Sequence, residues 1–191
     1  MSSSSEAVAA DRTAAGHTPT LRTLYFVRFG FAVVWAVLVM AVASTINPGV
    51  AVLLVLYPLF DVAAAVVDVR SSGAGRTRTP LYINMALSLL TAIGLGIAAT
   101  SGIPSVLRVW GVWAVTAGIV QLIVALLRYR LGGQWPMILS GGISVLAGSS
   151  FVLMAGGANP SLTTVAGYAI LGGVFFLISA IRLHRLAAKA V

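Results

Sequence analysis

The sequence predicts an all-helical bundle embedded in lipid, and three observations carry that prediction. Of 191 residues, 59% are hydrophobic and only 8% charged, and the mean hydropathy is +1.02; soluble domains are about a quarter charged. Six apolar runs follow one another, at about 24–46, 49–69, 81–101, 104–127, 134–156 and 161–181. Each is close to the ~20 residues a helix needs to cross hydrocarbon. The basic residues collect in alternate connections, which gives the spans a common polarity.

Taken in order, residues 1–23 are polar, rich in Ser and Ala, and lack an apolar segment, so they are expected to form a disordered cytoplasmic tail. The membrane domain is expected over 24–186. Arg12, Arg22 and Arg28 precede or open the first span, Arg70, Arg76 and Arg78 follow the second, and Arg128 and Arg130 follow the fourth. Arg182, Arg185 and Lys189 follow the sixth. The opposite loops, TINPG, TSGIPS and GGANPS, carry no Lys or Arg; Arg108 alone breaks the pattern. This asymmetry predicts that both termini are cytoplasmic. The net charge of +8 is thereby a determinant of topology and of contact with the lipid bilayer rather than a nucleic-acid surface.

The proline-containing outer loops reveal an internal period. Pro48, Pro104 and Pro160 recur every 56 residues, as do Arg28, Asn84 and Ser140, and Ala36, Ala92 and Gly148. A fixed interval of this kind predicts repeated units: three parallel helical hairpins, about 24–79, 80–135 and 136–191, around a pseudo-threefold centre. Gly94, Ala98 and Gly102, and Ser140, Ser144 and Gly148, form small-residue ridges suited to close helix packing. Tyr25, Tyr82, Trp110, Tyr129 and Trp135 are expected at the interfaces, and Tyr57, Trp113 and Tyr168 within the bundle.

The candidate site is a set of polar residues inside the spans: Arg28, Asp61 and Asp68, with Asn84 and Gln121 as secondary members. An ionised Asp in hydrocarbon costs several kcal/mol unless it is paired or reached by water. Counting helical rise from Pro48 puts Arg28 level with Asp68 and about two turns from Asp61. Arg28–Asp68 is therefore the expected interfacial pair, and the partner of Asp61 is left open. Paired with Arg28, Asp61 would lock the first hairpin. Without a cation, it would bind and release protons as the external pH changes. Gln121 is expected to bridge helices. At the period of 56, Asp61 corresponds to Ala117 and Gly173, so no threefold ring of carboxylates exists.

Other chemistries find no support in the residues. There is no cysteine, and His17 and His184 are the only histidines, neither close to a cluster of acids. Ser and Thr are scattered along the predicted helices without a base beside them, and the glycines form no phosphate cradle. The expectation is a protein that is not an enzyme and uses no cofactor or metal. A homo-oligomer is compatible with the sequence, and no protein partner is specified by it.

The segment VRFGFAVVWAVLVMAVASTINPGVAVLLVLYPLFDVAAAV resembles the HdeD-like acid-resistance membrane proteins. The likeness lies in an Arg early in the first span, a Pro in the first outer loop, and the stretch YPLFD. WAVTAGIVQLIVALLRYR and NPSLTTVAGYAILGGVFFLISAIRLHR fit the same pattern, so the resemblance covers about residues 24–186. It departs at Val62, where family members often carry Gly. The resemblance implies a small six-span protein of the bacterial inner (plasma) membrane, linked to survival under acid stress, and brings no catalytic residues. The alternatives are a small transporter or channel with a path between the repeats, and a membrane scaffold for another protein.

Overall fold

The chain's architecture, seen in a computed structural model, is six long helices and no strand among the described residues, which are 3–42, 44–71, 78–127, 129–131 and 134–188. For residues 3–19, 131, 186 and 187 only the backbone is described, so the side chains of Arg12, His17, Arg76, Arg128 and Lys189 lie outside the described set. The helices are α1 (Ser3–Val42), α2 (Pro48–Ser71), α3 (Thr79–Ala98), α4 (Ile103–Leu127), α5 (Trp135–Met154) and α6 (Thr163–Ala188). Short 3-10 turns follow α3 (Ala99–Ser101) and α4 (Tyr129–Leu131). Thr20–Val42 of α1, Thr163–Arg185 of α6 and the four intervening helices are each long and apolar enough to cross a bilayer.

Local chemistry sets the helix boundaries. Asn47 caps α2: its side-chain oxygen accepts the Val50 N–H at 3.0 Å, and Pro48 occupies the first helical position, where its missing donor costs nothing. Pro80 and Pro136, each the second residue of its helix, likewise lie in the first turns of α3 and α5. Gly102, with φ +93°, reverses the chain between α3 and α4, a conformation that side chains with a Cβ rarely adopt. The first span therefore stops at Val42, short of the expected residue 46.

Each helix packs against its neighbours in an antiparallel sense, and the series closes because α6 returns to α1. Phe31 stacks on Phe60 between α1 and α2; Gly94 meets Val109 between α3 and α4; Gly173 meets Ala32 between α6 and α1. The contacts α2–α3, α4–α5 and α6–α1, between successive hairpins, are more extensive than those within any hairpin. The closest is α4–α5. A Cβ on Gly111 would lie 2.6 Å from the Gly148 carbonyl oxygen, and one on Gly118 2.7 Å from that of Gly141. Backbones this near need glycine on both sides.

The apolar core draws on all six helices and sits at one end of the bundle. Its members, among them Val39, Leu54, Leu95, Leu107, Phe151 and Val165, cluster toward the ends joined by the loops without Lys or Arg. Trp35, Tyr57, Trp110 and Trp113 form its aromatic part, with Trp35 stacked on Trp110 at 5.3 Å between ring centroids. Trp110, expected in an interfacial belt, is instead fully buried: it stands two turns inside α4 on the face turned to Trp35. Tyr82, Tyr129 and Trp135 are exposed at the helix ends. The outer surface is a belt of exposed apolar residues, including Val34, Val52, Leu90, Leu146 and Leu153, which suits contact with lipid.

Candidate functional site

The polar site lies in the other half of the bundle, beyond the apolar core. Asp61 stands thirteen residues into α2 from Pro48, and Arg28 stands fourteen residues before the end of α1 at Val42. The two helices are antiparallel, so these residues share a level. Arg28 Nη2 donates to Asp61 Oδ1 in an ion pair. The pairing of Arg28 with Asp68 is thus replaced by one with Asp61. The physical reason is that α1 ends at Val42, six residues before α2 begins at Pro48, so depth in α1 is counted from Val42 rather than from Pro48.

The second carboxylate oxygen of Asp61 takes two further donors from α3. Asn84 Nδ2 donates at 2.6 Å and the Ser88 hydroxyl at 2.7 Å. Asn84 and Ser88 are four residues apart, on one face of the helix. Ser88 is completely buried, and the Arg28 and Asp61 side chains are each only 13% exposed. Three donors on one acid suit an ionised carboxylate, which only accepts. The guanidinium also lies 4.2 Å from the centre of the Phe176 ring on α6, a cation–π contact. One carboxylate and one cation thereby tie α1, α2, α3 and α6 together without leaving net charge in the apolar layer.

Pro58 stands three residues before Asp61 within α2 and has no N–H to give the helix. Nearby, the Trp35 indole N–H donates to the Leu53 carbonyl oxygen at 2.6 Å, a second link from α1 to α2. Gln121 belongs elsewhere: its Nε2 donates to the Met137 carbonyl oxygen at 3.1 Å, joining α4 to α5. Asp68 is buried near the end of α2, where the Ser71 hydroxyl donates to its backbone oxygen at 3.3 Å.

Two members of the network escaped the sequence reading. Ser88 could have been found from Asn84, because an i, i+4 pair of polar residues on an apolar helix shares a face. Phe176 had no signal, since its value comes from the α6–α1 contact, between the first and last helices. Gly173, twice 56 residues beyond Asp61, faces Ala32, which lies 56 residues before Ser88. Where α2 meets α3 through an acid and a hydroxyl, α6 meets α1 through a glycine and an alanine.

The contribution of one α3 donor can be measured directly. Ser88→Ala is expected to lower stability by about 1.5 kcal/mol, the lower end for a hydrogen bond to a charged acceptor, because Asp61 keeps its other two donors. Unfolding titrations in mixed detergent micelles read this value; a change of zero would remove Ser88 from the network.

The fold and site define a multi-pass helical membrane protein with an ion pair held inside its spans. No protein-family model, no curated protein and no solved structure matches the chain.

Proposed function

We propose that this chain is a non-enzymatic protein of the bacterial inner membrane, with both termini in the cytoplasm, that contributes to survival under acid stress. The acid-stress part comes from the resemblance to HdeD-like proteins, and the orientation from the loops TINPG, TSGIPS and GGANPS, which lack basic residues. The observation that carries the reading is the position of the Asp61 network behind the apolar core. An acid medium attacks an ion pair by protonating its carboxylate. In the proposed orientation, the aromatic and aliphatic cluster around Trp35, Leu54 and Trp110 stands between the external face and Asp61. A bundle built in this way keeps its internal tie when the outside is acidic. The same cluster, contributed by all six helices, disfavours a continuous path between the repeats, and so favours this reading over a channel.

The test is survival after acid challenge of a strain lacking the gene, complemented with wild type or Asp61→Asn at matched membrane abundance. Wild type is expected to restore survival. Asp61→Asn is expected to restore it equally once abundance is matched, because the carboxylate serves the fold. No rescue by wild type would remove the acid-stress reading. Failure of Asp61→Asn alone would make the carboxylate part of the protective chemistry.

A further inference from the structure

At the end of the bundle where α1 enters and α6 leaves its span, two basic side chains touch. Arg22 Nη1 lies 3.0 Å from His184 Nδ1. With a permanently charged guanidinium as the donor, the ring nitrogen is the acceptor, so the rest of the guanidinium and the other ring nitrogen remain to face a ligand. Arg182 and Arg185 are exposed on the same two turns of α6. Neither α6 nor α1 from Thr20 onward contains an Asp or Glu, and Arg28, deeper on α1, is already neutralised by Asp61 of α2. Positive charge is therefore concentrated here, with no carboxylate on the span portions of these two helices to balance it.

A shallow groove of about 510 Å³ runs from these groups along α1, lined by Arg22, Thr23, Phe26, Val27 and His184. Phe26 and Val27 are 42% and 50% exposed. Arg22 falls within the first turn of the span Thr20–Val42 and His184 within the last turn of Thr163–Arg185, the depth at which lipid phosphates lie. Phe26 is one turn deeper, at the level of the first acyl carbons. The order along the groove is thus cation, hydroxyl, aromatic, aliphatic, which is the order of a phospholipid from headgroup to chain.

We propose that Arg22 and His184 form a binding site for the phosphate of an anionic phospholipid, with one acyl chain lying over Phe26 and Val27. Zwitterionic lipid offers the same phosphate, but its own ammonium offsets the charge that this corner lacks. A bound lipid here would bridge the first and last helices, whose contact closes the bundle.

The full chain, purified in mild detergent, would be exposed to phosphatidylglycerol, phosphatidylcholine or free glycerol phosphate, and retention read by native mass spectrometry. Wild type is expected to retain phosphatidylglycerol in preference to phosphatidylcholine. Arg22→Gln is expected to reduce that retention about fivefold, the worth of one basic residue at an anionic surface, and His184→Gln to reduce it as well. Arg130→Gln, which removes an exposed charge near the α4–α5 connection, is expected to leave it unchanged. Circular dichroism and gel filtration of each variant verify that the helices and the monodisperse bundle persist. Equal retention of both lipids, or an equal loss in Arg130→Gln, would overturn the proposal in favour of a diffuse lipid shell. Displacement by glycerol phosphate at comparable concentration would overturn it in favour of a small-anion site.

Discussion

Asp61→Ala is expected to destabilise the bundle by about 3–5 kcal/mol, the largest effect of any single substitution considered. Its size follows from what is left behind. Arg28 keeps its charge and stays in the apolar layer, with the Phe176 ring as its remaining contact among the described residues, while Asn84 Nδ2 and the Ser88 hydroxyl lose their acceptor. Arg28→Met leaves the converse, a carboxylate with two neutral donors, and is expected to cost less. The double substitution Arg28→Met with Asp61→Leu replaces both charges with apolar groups of similar reach. It is expected to recover part of the loss, because removing a whole buried pair is cheaper than orphaning one member. Reversible unfolding in mixed micelles measures all three. Non-additivity near zero would show that the pair does not act as a unit.

The second large effect is expected where backbones come closest. Gly148→Ala places a Cβ 2.6 Å from the Gly111 carbonyl oxygen and 2.8 Å from the Val115 nitrogen, distances that force α4 and α5 apart. Overpacking of this kind costs about 1–3 kcal/mol, and separation of the helices also weakens the Gln121–Met137 hydrogen bond between them. Gly142→Ala provides the comparison: it lies on the same helix, six residues earlier, with nothing within 4 Å of the added carbon. It is expected to be neutral or slightly stabilising, since alanine is the better helix former. Equal melting temperatures for the two variants would contradict the close approach of α4 and α5.

The helical class and the six spans were legible from hydrophobic length and charge, because lipid leaves a chain few other ways to satisfy its backbone. The site was legible in part. Asp61 stood out as an acid flanked by apolar residues, and Asn84 and Gln121 as isolated amides. What could not be read was which groups meet. The expected Arg28–Asp68 pair rested on a single depth marker, Pro48, applied to both helices of the hairpin. α1 ends at Val42, so the marker displaced every depth in it by more than a turn. Anchoring each helix to its own end restores Arg28 to the level of Asp61. Trp110 shows a different limit: nearness to a span end gives depth but not azimuth, and the burial of Trp110 depends on the face that α4 turns to Trp35.

The closed succession of helices has a consequence for biogenesis. α1 leaves the ribosome before the other five helices, yet one of its two neighbours, and the aromatic ring that covers the Arg28 guanidinium, arrive only with α6. Hairpins that pack more extensively on one another than within themselves cannot mature one at a time. Until synthesis reaches Phe176, the first helix has an open flank that lipid or an insertion chaperone must shelter.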